Sequence, residues 1–190
     1  MNMAGSNPTI WTIGHSNRRI DEFLGLLRAH EITFLADVRR FPGSRRYPHF
    51  NQEALEKSLG DAEIQYMHFP ELGGKRKARA DSHNRSWKNL SFRGYADHME
   101  TQEFQTALEH LKDFAARQSV AVMCAEVLWW QCHRSLIADI LKAQGMRVLH
   151  ILSATKNEEH PYTSPARIVG GRLSYAAPQE EGGQMLLLRE

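Results

Sequence analysis

The chain has 190 residues, 42% of them hydrophobic, with a formal net charge of +2 and two cysteines. This length buries a sizeable core in one domain, so disulfide staples are not needed and two cysteines could not supply a scaffold of them. No window approaches the ~18 apolar residues of a membrane span, and the N-terminal segment lacks the basic start and apolar run of a signal peptide; the expectation is a cytoplasmic protein with no membrane segment.

Taken in chain order, the elements alternate. TIWTIG (Thr9 to Gly14) is β-branched and aromatic and predicts a strand. Ile20, Phe23, Leu24 and Leu27 then share a helical face, and ITFLADV (Ile32 to Val38) returns as a second strand, which makes a βαβ unit. A short helix is predicted from Asn51 to Leu59, then a strand IQYMHF (Ile64 to Phe69) that stops at Pro70. The segment from Gly74 to Phe92 is polar and long for a packed connection, and predicts a mobile lid or binding loop. Phe104, Ala107, Leu108, Leu111, Phe114 and Ala115 mark a helix starting near Thr101, before a buried strand SVAVMCAE (Ser119 to Glu126). Leu136, Ile137, Ile140 and Leu141 mark the next helix, ended by Gly145, and MRVLHIL (Met146 to Leu152) is a fifth strand. RLSYAAP and QMLLLR are candidate edge strands in a less regular tail.

Strands alternating with helices imply a single α/β domain over residues 1–190, with a mostly parallel open sheet flanked by helices and an irregular C-terminal segment 153–190. Ligands of such sheets bind outside the carboxyl ends of the strands. Every strand end here is polar: Gly14-His15-Ser16-Asn17, Asp37-Val38-Arg39-Arg40, His68, Cys124-Ala125-Glu126, and His150 with Ser153. Strand ends often turn polar for no functional reason, but His, Asp-x-Arg and Cys-x-Glu in succession point to one site.

Both cysteines fall in MCAEVLWWQCHRSLIADIL (Met123 to Leu141). Strand geometry would put Cys124 and Glu126 on one side. Beside an apolar run and two tryptophans, Glu126 would sit in a low-dielectric niche that suits a general acid or base. The alternatives are a small buried hydrophobe for Cys124 and a structural ion pair for Glu126. Cys132-His133-Arg134 opens a helix, where the dipole and unpaired N–H groups favour an anion and an acidic thiol, with Arg134 as a second anion contact. The residue six beyond Cys132 is Ala138, so a Cys-x5-Arg phosphatase loop is absent. Neither CxxC nor HExxH spacing is present, and a structural zinc is not expected, although Cys124, Cys132, His133 and His15 are candidate soft ligands of a catalytic metal, with Glu126 and Asp37 as further ligands.

The motifs TIGHSNRRIDEFLGLL, FLADVRRFPGSRR, ELGG, FRGYADHM and VMCAEVLWWQCHRSLIADIL resemble those of the bacterial and archaeal domain-of-unknown-function family 488. The family-like region is about 11–152. The resemblance implies a single α/β domain and places the family's polar motifs on His15, Ser16, Asp37, Arg39, Glu126, Cys132, His133 and Arg134, but implies no reaction. The Trp129-Trp130 pair departs from the looser, often proline-containing loop expected there.

Two function classes follow. The first is an enzyme acting on an anionic phosphate- or carboxylate-bearing substrate, such as a nucleotide or nucleic acid. In it Glu126 is acid or base, Cys132 nucleophile or polar ligand, and His15 with Asp37 a proton-transfer or orienting pair; Ser16, Arg39, Arg40, Cys124, His133 and Arg134 bind the substrate. A metal-dependent enzyme at the same site is its variant, and no cofactor is named by the residues. The second is a nucleic-acid-binding module using the basic loops 39–46 and 75–93, with Tyr47, Trp87 and Phe92 stacking bases.

Overall fold

The computed structural model describes residues 8–178. Five strands form a parallel sheet: β1 (Thr9–Gly14), β2 (Phe34–Asp37), β3 (Gln65–His68), β4 (Val120–Cys124) and β5 (Arg147–Ile151). A sixth, β6 (Asn157–Glu159), adds antiparallel to β5, giving the order β3-β2-β4-β1-β5-β6. The helices are α1 (Ile20–Ala29), α2 (Gln52–Gly60), α3 (Leu90–Met99), α4 (Gln102–Ala115) and α5 (Arg134–Ala143). The chain is therefore an α/β domain with a mostly parallel sheet.

The sheet is covered on both faces, as a parallel sheet requires. On one side Ile13, Leu35, Ala121 and Met123 pack with Phe23 and Leu27 of α1 and Leu55 and Leu59 of α2. On the other, Ile10, Ala36, Val122 and Cys124 pack with Tyr95 of α3, Leu108 of α4 and Leu136 and Ile137 of α5. Alternation along β4 thus assigns Cys124 to the α5 side, the side that also carries Cys132.

Local chemistry sets the boundaries. Thr101 caps α4 by accepting from the Phe104 amide, and Gly145, with φ +85°, follows α5 in the left-handed region. Asn89 caps α3 through the Ser91 and Phe92 amides. The segment from Gly74 to Phe92 differs from the sequence expectation of a mobile lid: α3 begins inside it, and the rest is tied down. Buried Asp97 accepts hydrogen bonds from the Arg79 amide (2.8 Å), Ser82 Oγ (2.6 Å) and Asn84 Nδ2 (2.9 Å). Polar residues of this segment satisfy a buried carboxylate.

Two further expectations change. RLSYAAP contains β8 (Arg172–Ser174), but this pairs with β7 (Arg167–Val169) in a separate hairpin; the edges of the main sheet are β3 and β6. QMLLLR lies outside the described residues. No helix among the described residues is long and apolar enough to cross a membrane.

A buried polar chain crosses the α5 side. Asp139 accepts from His160 Nε2 (2.9 Å), the Thr163 amide (2.9 Å), Thr163 Oγ1 and Tyr175 Oη (2.7 Å). With Nε2 of His160 donating to a carboxylate, its Nδ1 accepts from His150 Nε2 (2.9 Å), and His150 Nδ1 then accepts from the Thr12 hydroxyl (2.7 Å). One neutral tautomer of each ring satisfies the chain. Burial above all, with the charge effects of His160 and Arg134, pushes His150 from 6.5 down to about 2. The unfolded chain therefore takes up this proton before the native state does, so the stabilisation is complete above pH 6.5 and is lost progressively as pH falls from 6.5 towards 2. We expect urea midpoints that are flat above pH ~7 and decline steadily below it, with a shallower decline in His150→Gln; an unchanged acid slope in that variant would contradict the assignment.

Candidate functional site

The strand ends converge because the backbones cross closely there. Built on Gly14, a Cβ would lie 1.8 Å from the Glu126 carbonyl oxygen, so only glycine lets the chain after β4 pass over the end of β1. The His15 amide then donates to the Cys124 carbonyl (3.0 Å) and the Ser16 amide to that of Ala125 (2.8 Å). Ser16 holds φ 49°, a left-handed conformation costing a non-glycine residue roughly 1–2 kcal/mol. This strain stands at the entrance to the site.

Beside this crossing, Asp37 and Arg39 form a buried ion pair, with Nη2 of Arg39 2.6 Å from Oδ2 and Nε 2.9 Å from Oδ1. Tyr66 Oη gives Asp37 a further bond (2.9 Å). Nη1 of Arg39 donates to the Phe50 carbonyl (2.8 Å) and lies 3.3 Å from Nε2 of His15. His15 Nδ1 donates to the Ser16 carbonyl (2.9 Å), which leaves Nε2 as the acceptor towards Arg39. Burial is the main reason His15 drops from 6.5 to about 4, so the ring is neutral near pH 7. Two sequence expectations are corrected. His15 and Asp37 do not pair, because Arg39 stands between them. Nor is Arg39 a free anion clamp, since its guanidinium is already committed.

The second cluster lies where β4 runs into α5. Sγ of Cys124 and of Cys132 stand 3.9 Å and 3.7 Å from Nδ1 of His133, and the three ligand atoms all fall within 4.8 Å of one another. His133 Nε2 donates to the Val38 carbonyl (3.1 Å), which aims the Nδ1 lone pair at the sulfurs. Burial raises the Cys132 thiol, but the hydrogen bond from Cys124, with His133 and Arg134 nearby, wins and holds it well below the ordinary thiol range. Cys124 is pushed well above that range by its hydrogen bond to Cys132 and by burial. Gly74 closes over the ring: a Cβ there would sit 2.8 Å from His133 Nδ1.

Arg134 is corrected from anion clamp to structural tie. It is almost wholly buried, and Nη2 donates to the carbonyls of Glu126 (2.6 Å) and Val127 (3.1 Å). Glu126 also differs from expectation. β4 ends at Cys124, so the strand alternation stops before it, and its side chain is exposed rather than set in an apolar niche. Trp129 stacks on His150, with centroids 4.4 Å apart and planes at 6°, and its Nε1 donates to Glu158. The Trp-Trp loop is thereby fastened to the buried histidine chain.

Two adjoining cavities result. One, of about 460 Å³, is lined by Cys124, Cys132, His133, Tyr95, Arg40 and Lys75 among others; the second, of about 500 Å³, by His15, Ser16, Ser44, Arg46 and Tyr47. Arg39, Phe41, Ala125 and Glu126 line both. Of the residues expected to share one site, Asp37 and Arg134 line neither cavity. Phe41 and Tyr95 were not singled out from sequence, while Gly74 and Lys75 entered there only as the start of the basic loop. FRGYADHM already held Tyr95, whose hydroxyl donates to the Leu72 carbonyl (2.7 Å) and whose ring lies 5.0 Å from that of His133.

The topology makes the chain an α/β domain whose strand-end cysteine and histidine residues line two adjoining cavities. The chain belongs to the family described as Domain of unknown function DUF488, which matches residues 19–141. No curated protein and no solved structure gives a significant match.

Removing one partner of the Asp37–Arg39 pair leaves a buried charge unpaired. Arg39→Ala is expected to cost about 3–5 kcal/mol, and Arg39→Lys to recover little because the two-point fork is lost. Urea denaturation reads both; a loss below about 1 kcal/mol in Arg39→Ala would remove Asp37 from this account.

Proposed function

We propose that the chain is an enzyme acting on an anionic substrate that carries a phosphate or carboxylate. The observation that carries this reading is the lining of the 460 Å³ cavity, where the exposed cations Arg40 and Lys75 stand at the entrance and Cys124, Cys132 and His133 lie buried or half-buried beneath them. Arg40 and Lys75 also approach the ring of Phe41 at 5.6 and 5.7 Å, and Phe41 is 65% exposed. An exposed aromatic face beside two cations suits a nucleotide, with a base on the ring and a phosphate on the charges.

Lys75 holds φ 58°, and its carbonyl accepts from Arg40 Nη1 (2.8 Å). The loop is thus held in a strained form that keeps both cations at one rim. Glu126, shared by the two cavities, is the carboxylate free to act as acid or base. Cys132 is the sulfur that meets the substrate or holds what does. Asp37 acts as a positioning residue that reaches His15 only through Arg39.

The nucleic-acid-module reading is less well supported. Trp87 and Phe92 stack on each other (4.7 Å, 22°) and pack against the core, so they do not offer a row of faces to bases. Its remaining support is Arg46 over Tyr47 at 5.4 Å, beside the second cavity.

Replacing Arg40 and Lys75 together with alanine is expected to weaken nucleoside phosphate binding about a hundredfold or more, at roughly 1.5–3 kcal/mol per charged contact, and to flatten its salt dependence. Bound nucleotide should protect Cys132 from iodoacetamide in the parent chain and not in the variant. Equal binding by both at low salt would overturn the reading.

A further inference from the structure

We propose that Cys124, Cys132 and His133 form a mononuclear centre for a borderline-soft divalent metal ion, zinc in the first instance, with a fourth position open to the cavity. This rests on the reading of that cavity as the functional site and names what its floor is built to hold.

The donor geometry is the first argument. Zinc–sulfur bonds of about 2.3 Å and zinc–nitrogen bonds of about 2.05 Å place sulfur and nitrogen roughly 3.6 Å apart in a tetrahedron. The two sulfur-to-Nδ1 separations are 3.9 and 3.7 Å. Small rotations of the side chains close the remainder.

The second argument is the outer shell. Metal-bound imidazoles usually donate their other N–H to a carbonyl or carboxylate, which fixes the ring and its tautomer. His133 Nε2 does so to the Val38 carbonyl, at the end of β2, leaving Nδ1 unprotonated and turned to both sulfurs. Among the described residues, hydrogen bonding offers Nδ1 no oxygen donor, only the two sulfurs.

The third argument is charge. A divalent ion displaces one proton from each thiol to solvent, and two thiolates with a neutral imidazole make the loaded centre neutral overall. A neutral centre tolerates burial better than a free thiolate would, and the buried guanidinium of Arg134 nearby better than a bare cation would. Three protein ligands with an open fourth position match the catalytic rather than the structural class of zinc site. The open position faces the cavity that Glu126 also lines, so a bound water there would meet both the ion and a free carboxylate. Cys132 becomes a ligand, and the substrate anion held at Arg40 and Lys75 is brought to the ion.

The test uses the full chain purified without chelator or affinity metal. Elemental analysis should give one zinc per chain after zinc incubation and desalting. Replacement by cobalt should give a thiolate-to-cobalt charge-transfer band with four-coordinate visible absorption. Cys132→Ser and His133→Ala, checked for folding by circular dichroism, should bind at least tenfold more weakly. In the parent chain, without any substitution, zinc should protect both thiols from a chromogenic disulfide reagent. No retained metal with both thiols equally reactive with and without zinc would overturn the proposal, as would recovery of the pair as a disulfide that reduction does not convert to a zinc-binding form. Nucleotide protection measured on chelator-treated protein separates the two readings. If it persists while metal fails to bind, the anion site stands and the metal centre falls; if metal binds and nucleotide does not, the substrate reading falls alone.

Discussion

The buried guanidinium of Arg134 holds the carbonyls of Glu126 and Val127, and the site depends on that attachment. A charge so far from water is tolerated only where donors find acceptors; Nη2 finds them in backbone oxygens of the loop that α5 must receive from β4, while Nε has no partner among the described residues. Drawn inward, that loop crosses Gly14 too closely for any side chain. The carbonyls of Cys124 and Ala125 then fix His15 and Ser16 by accepting from their amides, and the far end of the loop delivers Cys132 and His133 opposite Cys124. A cation that resembles a substrate clamp in the sequence is the tie that shapes the cavity.

Two supports make this loop rigid from outside. Trp129 lies flat on His150, whose proton chain through His160 ends on Asp139, so the loop is stacked against a fully satisfied polar core. On the opposite side Gly74 presses on the His133 ring, and the chain leading away from it is anchored at Asp97. Pre-organisation of this kind is what a metal or substrate site needs, because the ligands are held before anything binds. The Asp37–Arg39 pair plays the same part for the second cavity, by orienting His15, which burial keeps neutral. Arg39 lines both cavities, together with Phe41, Ala125 and Glu126.

The order of strands and helices was legible because each has a clean period. TIWTIG, VAVMC and RVLHI are too apolar and β-branched to be anything but buried strands, and Phe104 to Ala115 repeats at helical spacing. The convergence of polar strand ends followed from topology, and so did the placing of Cys124 and Cys132 in one crevice. Three things were not legible. Helix α3 carries Gly94 at its centre, and its cap Asn89 lies at the end of a stretch that reads as a basic loop, which masks its start. Arg134 cannot be told from a ligand-binding arginine by sequence, since its partners are main-chain carbonyls that have no letter. Glu126 was placed by extending the alternation of β4 two residues beyond where the strand stops.

The central claim is that the two sulfurs and the His133 ring share one small volume in the folded chain. A trivalent arylarsenical reports this directly, because it bridges two thiols only when they already lie side by side. Intact-mass measurement of the reduced, chelator-treated protein with phenylarsine oxide should show one arsenical per chain, bound through both sulfurs and resistant to monothiol competition. Cys124→Ser and Cys132→Ser should each lose that resistance. A folded parent chain that takes up no arsenical, or holds it no more tightly than the single-cysteine variants do, would show that the thiols do not meet and would contradict the account.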